Sequence, residues 1–160
     1  MKKWFFLLLA PVFIFSSCKK NSGCAATAPG TVASAAETAY LQNYLTANSI
    51  TAASTHGMFY NITGSGSGAL PNLCSTITVT YTGKLITGTT DGAQFDASLS
   101  PVNFNLDVLI AGWQLVLPLV KTNGTVTLYI PPSFGYGATA AGSIPANSYL
   151  KFDITLVSTN

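Results

Sequence analysis

Residues equipped for covalent or metal chemistry are scarce in this chain. His56 is its one histidine, and its acidic residues are Glu37, Asp91, Asp96, Asp107 and Asp153. One imidazole cannot build a histidine-based metal cluster, and a serine triad would have to recruit that same His56, which reads instead as a loop residue. No glycine-rich phosphate loop opens a helix, and the carboxylates are too few and too scattered to form a glycosidase pair. No cofactor and no metal is expected. What the chain does offer is aromatic and apolar: Tyr81 at a strand end, the pair Phe95-Asp96, Trp113 within VLIAGWQLVLPL (108–119), and Tyr136 between two glycines. Taken singly, each is explained as well by core filling. Together they fit a pocket that works by shape and polarity.

The elements that must hold these residues follow from periodicity. TITVTYTG (76–83) alternates, with Ile77, Val79 and Tyr81 on one face and threonines on the other. GMFYNIT (57–63) reads as a strand, and Asp91-Gly92 as a turn before AQFDAS. Asn123-Gly124 turns the chain into TVTLYI, where Val126, Leu128 and Ile130 share a face; LKFDITL sets Leu150, Phe152, Ile154 and Leu156 inward. VLIAGWQLVLPL is too short to span a bilayer and reads as a buried helix, with Asp107 as N-cap and Pro118 ending it near Leu117. A helix apolar on nearly every side needs cover on nearly every side, and the strands provide it. Upstream, Ser34 and Glu37 match a capping box opening a helix over 35–47, with a Tyr40, Leu41, Tyr44, Leu45 stripe and a stop at Asn48. The expected class is α+β: a curved antiparallel sheet wrapped over a short central helix, with an N-terminal helix extension.

Composition adds the setting. Hydrophobic residues make up 48% of the 160-residue chain and charged residues only 8%, which suits a turn-rich β domain and argues against disorder. Lys2 and Lys3 precede the apolar run from Trp4 to Phe15, so residues 1–17 read as a signal peptide. Phe15-Ser16-Ser17-Cys18 resembles the lipobox of bacterial lipoproteins, with Cys18 as the lipidated residue; a plain secretory signal is the alternative. The lipid reading implies anchoring to a bacterial membrane in the cell envelope, with the domain itself in water. Residues 18–34 read as a flexible tether and 35–75 as a helix-and-strand extension. Beyond the signal, Lys19, Lys20, Lys84, Lys121 and Lys151 balance five acidic residues, and arginine is absent. Such a surface cannot neutralise a row of phosphates, so nucleic acid is excluded as a partner. With Cys18 acylated, Cys24 and Cys74 either pair in an oxidising compartment or stay as two small apolar thiols; the sequence leaves both readings open.

Five motifs occur in order over residues 76–160: VTYTGKL (79–85), DGAQFDAS (91–98), VLIAGW (108–113), YIPPSFGYG (129–137) and IPANSYLKFDITL (144–156). Each alone is weak, but the ordered set resembles the FKBP-type peptidyl-prolyl isomerases. The resemblance implies a proline-sized pocket lined by Tyr81, Phe95, Asp96, Leu109, Ile110 and Trp113, with Tyr136, Ile144 and Phe152 beside them. It implies that Trp113 is the floor, that the Ile110 N–H and Tyr136 hydroxyl hold substrate carbonyls, and that Asp96 sits beside the twisting amide. The substrates implied are unfolded or partly folded proline-containing chains. A monomer is expected.

The chain departs from the family pattern in places. Members commonly carry an aromatic where Val102 stands, a position that belongs to the substrate-binding set, and many carry an arginine paired with the aspartate. ASLSPVNF supplies no arginine, so Asp96 is expected to be held differently. GATAAGS contains no histidine and is too short for an inserted chaperone domain. Isomerase activity is therefore expected without a chaperone module. A non-catalytic module that binds proline peptides, or a structural lipoprotein of the same fold, are the alternatives.

Overall fold

A computed structural model describes residues 29–160. The expected signal segment, Cys18, Cys24 and most of the expected tether lie outside the described residues. The described chain forms helix α1 (Ala35–Ala47), strands β1 (Ala53–Thr55), β2 (Met58–Ser65), β3 (Thr76–Thr87) and β4 (Thr90–Asn105), helix α2 (Ala111–Val116), and strands β5 (Gly124–Ile130) and β6 (Tyr149–Thr159). The strands make one sheet in the order β1-β2-β5-β6-β3-β4, with every neighbouring pair antiparallel. The architecture is α+β, as the alternating patterns require. No helix among the described residues is long and apolar enough to cross a membrane.

Alternation divides the sheet into two faces. Ile77, Val79, Val126, Leu128, Ile130, Leu150, Ile154 and Leu156 are buried on the face that packs against Trp113, Val116 and Leu117 of the α2 region. Gly112 lets this helix lie close: a Cβ there would stand 2.7 Å from Ile130 Cδ1. Tyr129, between Leu128 and Ile130, points to the other face and joins Leu41, Tyr44, Leu45, Phe59 and Ile86 in a second cluster. Helix α1 therefore covers the sheet from the side opposite α2.

The capping box forms as the sequence predicts. Ser34 Oγ accepts from the Glu37 N–H at 3.2 Å, the Glu37 carboxylate accepts from the Ser34 N–H at 2.9 Å, and Asn48 is the C-cap. His56 sits in the β1–β2 turn with φ 52°. Asn123, at φ 63°, makes the expected turn into β5.

Two expectations need correction. Asp91-Gly92 is not a turn, because Asp91 pairs with Ile86 inside β4 and the chain reverses at Gly88, whose φ is +61°. Asp91 instead accepts from the Tyr44 hydroxyl and from Lys151 Nζ at 3.0 Å, with Lys84 Nζ at 3.7 Å. Asp107 is not a helix cap: it lies in a separate 3-10 turn (Leu106–Val108), and Ile110 takes the N-cap of α2 without a side-chain bond. Pro118 ends α2 where expected, the helix stopping at Val116 with Leu117 as C-cap, and it then lies in a short 3-10 turn (Leu117–Leu119) that tolerates its missing N–H.

Candidate functional site

Strands β3, β4 and β6 and the α2 region converge on a cavity of about 140 Å³ lined by Tyr81, Asp96, Phe104, Leu109, Ile110, Trp113, Tyr136 and Phe152. Trp113 is 4% exposed, and three rings meet it edge-on: Tyr81 at 5.5 Å, Phe152 at 5.3 Å and Phe104 at 6.3 Å between centroids. Edge-to-face contact is the favoured geometry for such pairs, so the box holds its shape without a ligand. The indole Nε1 is buried and has no hydrogen-bond partner among the described residues, which leaves one donor in an otherwise apolar enclosure.

The polar groups gather on the rim. Tyr81 donates its hydroxyl to Asp96 Oδ2 at 2.6 Å, so Asp96 is held without an arginine, which the chain lacks. Burial, and then this bond to a carboxylate, push the Tyr81 hydroxyl up to about 12. Tyr136 is 40% exposed and is raised as well, first by burial and then by the Asp96 charge. Both hydroxyls therefore remain protonated donors at neutral pH.

The Ile110 segment is held by Gln114. Its side-chain amide donates to the Leu109 carbonyl at 2.7 Å and the Asp107 carbonyl at 3.0 Å. The Ile110 carbonyl caps α2 by accepting from the Trp113 N–H at 3.0 Å. A trans peptide unit directs its C=O and N–H oppositely, so turning the Leu109 carbonyl to Gln114 turns the Ile110 N–H away from it.

The residues singled out from the sequence divide into two adjoining cavities. Tyr81, Leu109, Ile110, Trp113 and Phe152 line the first, while Phe95 and Ile144 line the neighbouring one, of about 210 Å³. Asp96 and Tyr136 border both. Val102 lines neither: it pairs with Val79 and packs against the core, and the aromatic position beside Trp113 belongs to Phe104. A register shift between Val79 and Tyr81 puts a bulge at residues 99–101 of β4 and obscures the count along the strand. The alternation of Val102, Phe104 and Leu106 was the signal that could have pointed to Phe104. Gly83 was also missed. A Cβ on it would lie 2.7 Å from Phe95 Cζ and 2.9 Å from Phe152 Cε1, so these rings rest against bare backbone.

Comparison with known proteins agrees with this geometry. Residues 68–157 match the family described as FKBP-type peptidyl-prolyl cis-trans isomerase. The chain is 38% identical over 107 residues to the FKBP-type peptidyl-prolyl cis-trans isomerase FkpA of Escherichia coli (strain K12), covering 65% of this chain and 38% of that protein. It is 42% identical over 108 residues to a probable FKBP-type isomerase of Haemophilus influenzae, covering 65% and 43% respectively. The chain thus spans about two fifths of the length of these curated relatives. Among solved structures, a peptidyl-prolyl cis-trans isomerase of Pseudomonas syringae pv. tomato superposes with a TM-score of 0.66 at 29% identity, over 82% of this chain and 99% of that one. With more than half its length matched, and with the strands and cavity of the same fold, this chain belongs to the FKBP-type peptidyl-prolyl cis-trans isomerase family.

Proposed function

We propose that the protein accelerates cis-trans interconversion of X–Pro bonds in unfolded or partly folded chains. The observation that carries this reading is the Trp113-floored cavity of about 140 Å³ with its polar rim of Tyr81, Asp96 and Tyr136. Rotation about an X–Pro bond faces a barrier of about 20 kcal/mol because amide resonance stiffens the C–N bond. No covalent bond breaks, so the reaction asks for neither nucleophile nor metal.

The proline ring enters the apolar box against Trp113, and the amide follows it out of water. Acceleration requires that the twisted amide, stripped of resonance, bind better than either planar isomer. A tyrosine donor at position 136 and the Ile110 N–H are suited to the flanking carbonyls. The turn of the Leu109 carbonyl toward Gln114 supports that use of Ile110. Asp96 lies beside the amide, held by Tyr81. Phe95 and Ile144, in the adjoining cavity, contact the residues next to the proline.

The test is a protease-coupled assay of cis-to-trans conversion on a prolyl tetrapeptide, run on the full chain and on Tyr136→Phe and Asp96→Val. Turnover above the thermal background, reduced in both variants, supports the reading. Peptide binding without turnover replaces it with a proline-peptide-binding module, and neither result leaves a structural role.

Two further readings concern the setting. Cys18 carries the lipid that anchors the protein to an envelope membrane, a reading supported by the apolar run before Phe15-Ser16-Ser17-Cys18. Cys24 then pairs with Cys74 and ties the tether to the domain, and Cys74 is disulfide-bonded. Mass spectrometry of the mature N-terminus, with and without reduction, tests both: an unmodified Cys18 or a Cys18–Cys74 peptide overturns them. The domain acts as a monomer, which light scattering checks.

A further inference from the structure

Glu37 closes the capping box of α1 with one carboxylate oxygen, and its other oxygen does something else. Oε1 accepts a hydrogen bond from the Ser133 backbone N–H at 2.9 Å, across 96 residues of chain. Ser133 belongs to the 3-10 turn Pro132–Phe134, which follows β5 and leads to Tyr136. Pro131 and Pro132 lack an N–H, so Ser133 carries the first backbone donor of that turn, and no intraturn carbonyl can reach it. One carboxylate thus satisfies the starts of two helical turns, one of them three residues before the rim tyrosine.

The turn is wound so that a fix at Ser133 reaches Tyr136. Phe134, fully buried, donates its N–H to the Pro131 carbonyl at 3.0 Å. The Pro132 carbonyl then accepts from the N–H of Gly135 at 3.0 Å and of Gly137 at 2.9 Å, so the residues on either side of Tyr136 share one acceptor. The other end of the connection is equally firm. The Ala33 N–H donates to the His56 carbonyl at 2.8 Å, and Thr38 Oγ1 donates to the Gly57 carbonyl at 3.2 Å, pinning the start of α1 to the β1–β2 turn. Farther along, Tyr44 donates to Asp91, Asn48 Nδ2 donates to the Thr89 carbonyl at 2.9 Å, and Tyr40 stacks on Tyr149 with centroids 3.9 Å apart. Helix α1 is therefore a strut fastened at both ends, with Glu37 as its contact to the Tyr136 turn. The strut lies outside the segment 68–157 that matches the family.

We propose that Glu37 is a positioning residue for Tyr136, through which the N-terminal helix sets one side of the prolyl site. The proposal rests on the isomerase reading above, and its test separates the two. Glu37→Ala removes the carboxylate that accepts from the Ser34 N–H and from the Ser133 N–H, and leaves the residue 37 N–H on Ser34 Oγ. Ser34→Ala weakens the same capping box but leaves the Glu37 carboxylate on Ser133, so it controls for loss of helix stability. Glu37→Gln keeps one acceptor oxygen for the two N–H donors and so serves as a partial rescue. Backbone amide exchange by NMR on the full chain gives the direct readout, and the prolyl-peptide assay gives the functional one.

Glu37→Ala should speed exchange at Ser133, Gly135 and Gly137 roughly five- to tenfold. It should also raise KM roughly threefold or more, with kcat changed less. Ser34→Ala should lower the thermal midpoint comparably without moving either readout, and Glu37→Gln should fall between Glu37→Ala and the wild type. If Glu37→Ala and Ser34→Ala give the same exchange pattern around Tyr136, the proposal is overturned. A wild-type chain without turnover would sink the isomerase reading instead, while the exchange data would still decide whether Glu37 holds the turn.

Discussion

Gly83 on β3 and Phe152 on β6 are paired across the sheet, and the ring of Phe152 leans over the glycine so closely that a Cβ would come within 2.9 Å of Cε1. Phe95 crowds the same point from the other neighbouring strand, at 2.7 Å. A methyl at Gly83 must therefore push two rings that border the two cavities. Gly83→Ala is expected to cost about 1–3 kcal/mol of stability, the range for overpacking, and to lower kcat/KM for a prolyl peptide by a larger factor than its stability loss explains. Urea unfolding beside the peptide assay checks this; an unchanged midpoint would show that the rings yield freely.

Phe104 and Val102 lie on one strand and face inward, but only Phe104 touches the tryptophan box. Phe104→Ala should weaken binding of a prolyl ligand, read by Trp113 fluorescence, while Val102→Ala should mainly lower stability by about 1–2 kcal/mol. Equal losses of affinity in the two variants would contradict the assignment.

Alkaline pH should loosen the fold through its tyrosines. Burial first, with the carboxylate neighbours second, raises Tyr81 to about 12 and Tyr129 to about 12, and Tyr44 is raised further. The unfolded chain releases these protons near the ordinary value of 10, while the folded chain holds them longer. Their contribution is complete below pH 10 and is lost as pH rises through 12. Denaturant midpoints measured up that range should fall, and they should fall less steeply in Tyr81→Phe. A flat profile would contradict the shifts.

Asp91 behaves in the opposite sense. Burial alone would raise its carboxyl, but the bonds from Tyr44 and Lys151, with the nearby charge of Lys84, outweigh that and hold it below the ordinary aspartate value. Its contribution is present above the unfolded-state value and lost as pH falls through the lower folded one. Because the group is partly exposed, Asp91→Asn should cost only about 1 kcal/mol at neutral pH, with the gap from wild type closing in acid. Thermal midpoints of both proteins at neutral and acidic pH test this, and a gap independent of pH would rule it out.

Much of this fold was legible because its signals are local. The alternation from Ile77 to Tyr81 and from Leu150 to Leu156 puts the right side chains inward whatever the strand order. The spacing of Ser34 and Glu37 defines the helix start without reference to the rest of the chain. The misread positions depend on partners far away in sequence. Asp91-Gly92 has turn composition, yet Asp91 is retained in the strand by Tyr44 and Lys151, which no window around residue 91 contains. Phe104 was obscured by the bulge in β4, and Gly83 by rings 12 and 69 residues away in the chain. The bond from Ser133 to Glu37 leaves no trace in either local pattern.

The position of β6 carries a consequence for the order in which the molecule is made. It is the last of the described strands in sequence, yet it lies between β5 and β3, pairing with both along most of its length. Until residues 149–159 are available, β1-β2-β5 and β3-β4 are two unconnected ribbons, and the wall that Phe152 gives the cavity does not exist. A chain still leaving the ribosome thus lacks the complete cavity, even with Trp113 and Tyr81 already out. Competence arrives in a single late step, with the closing of the sheet.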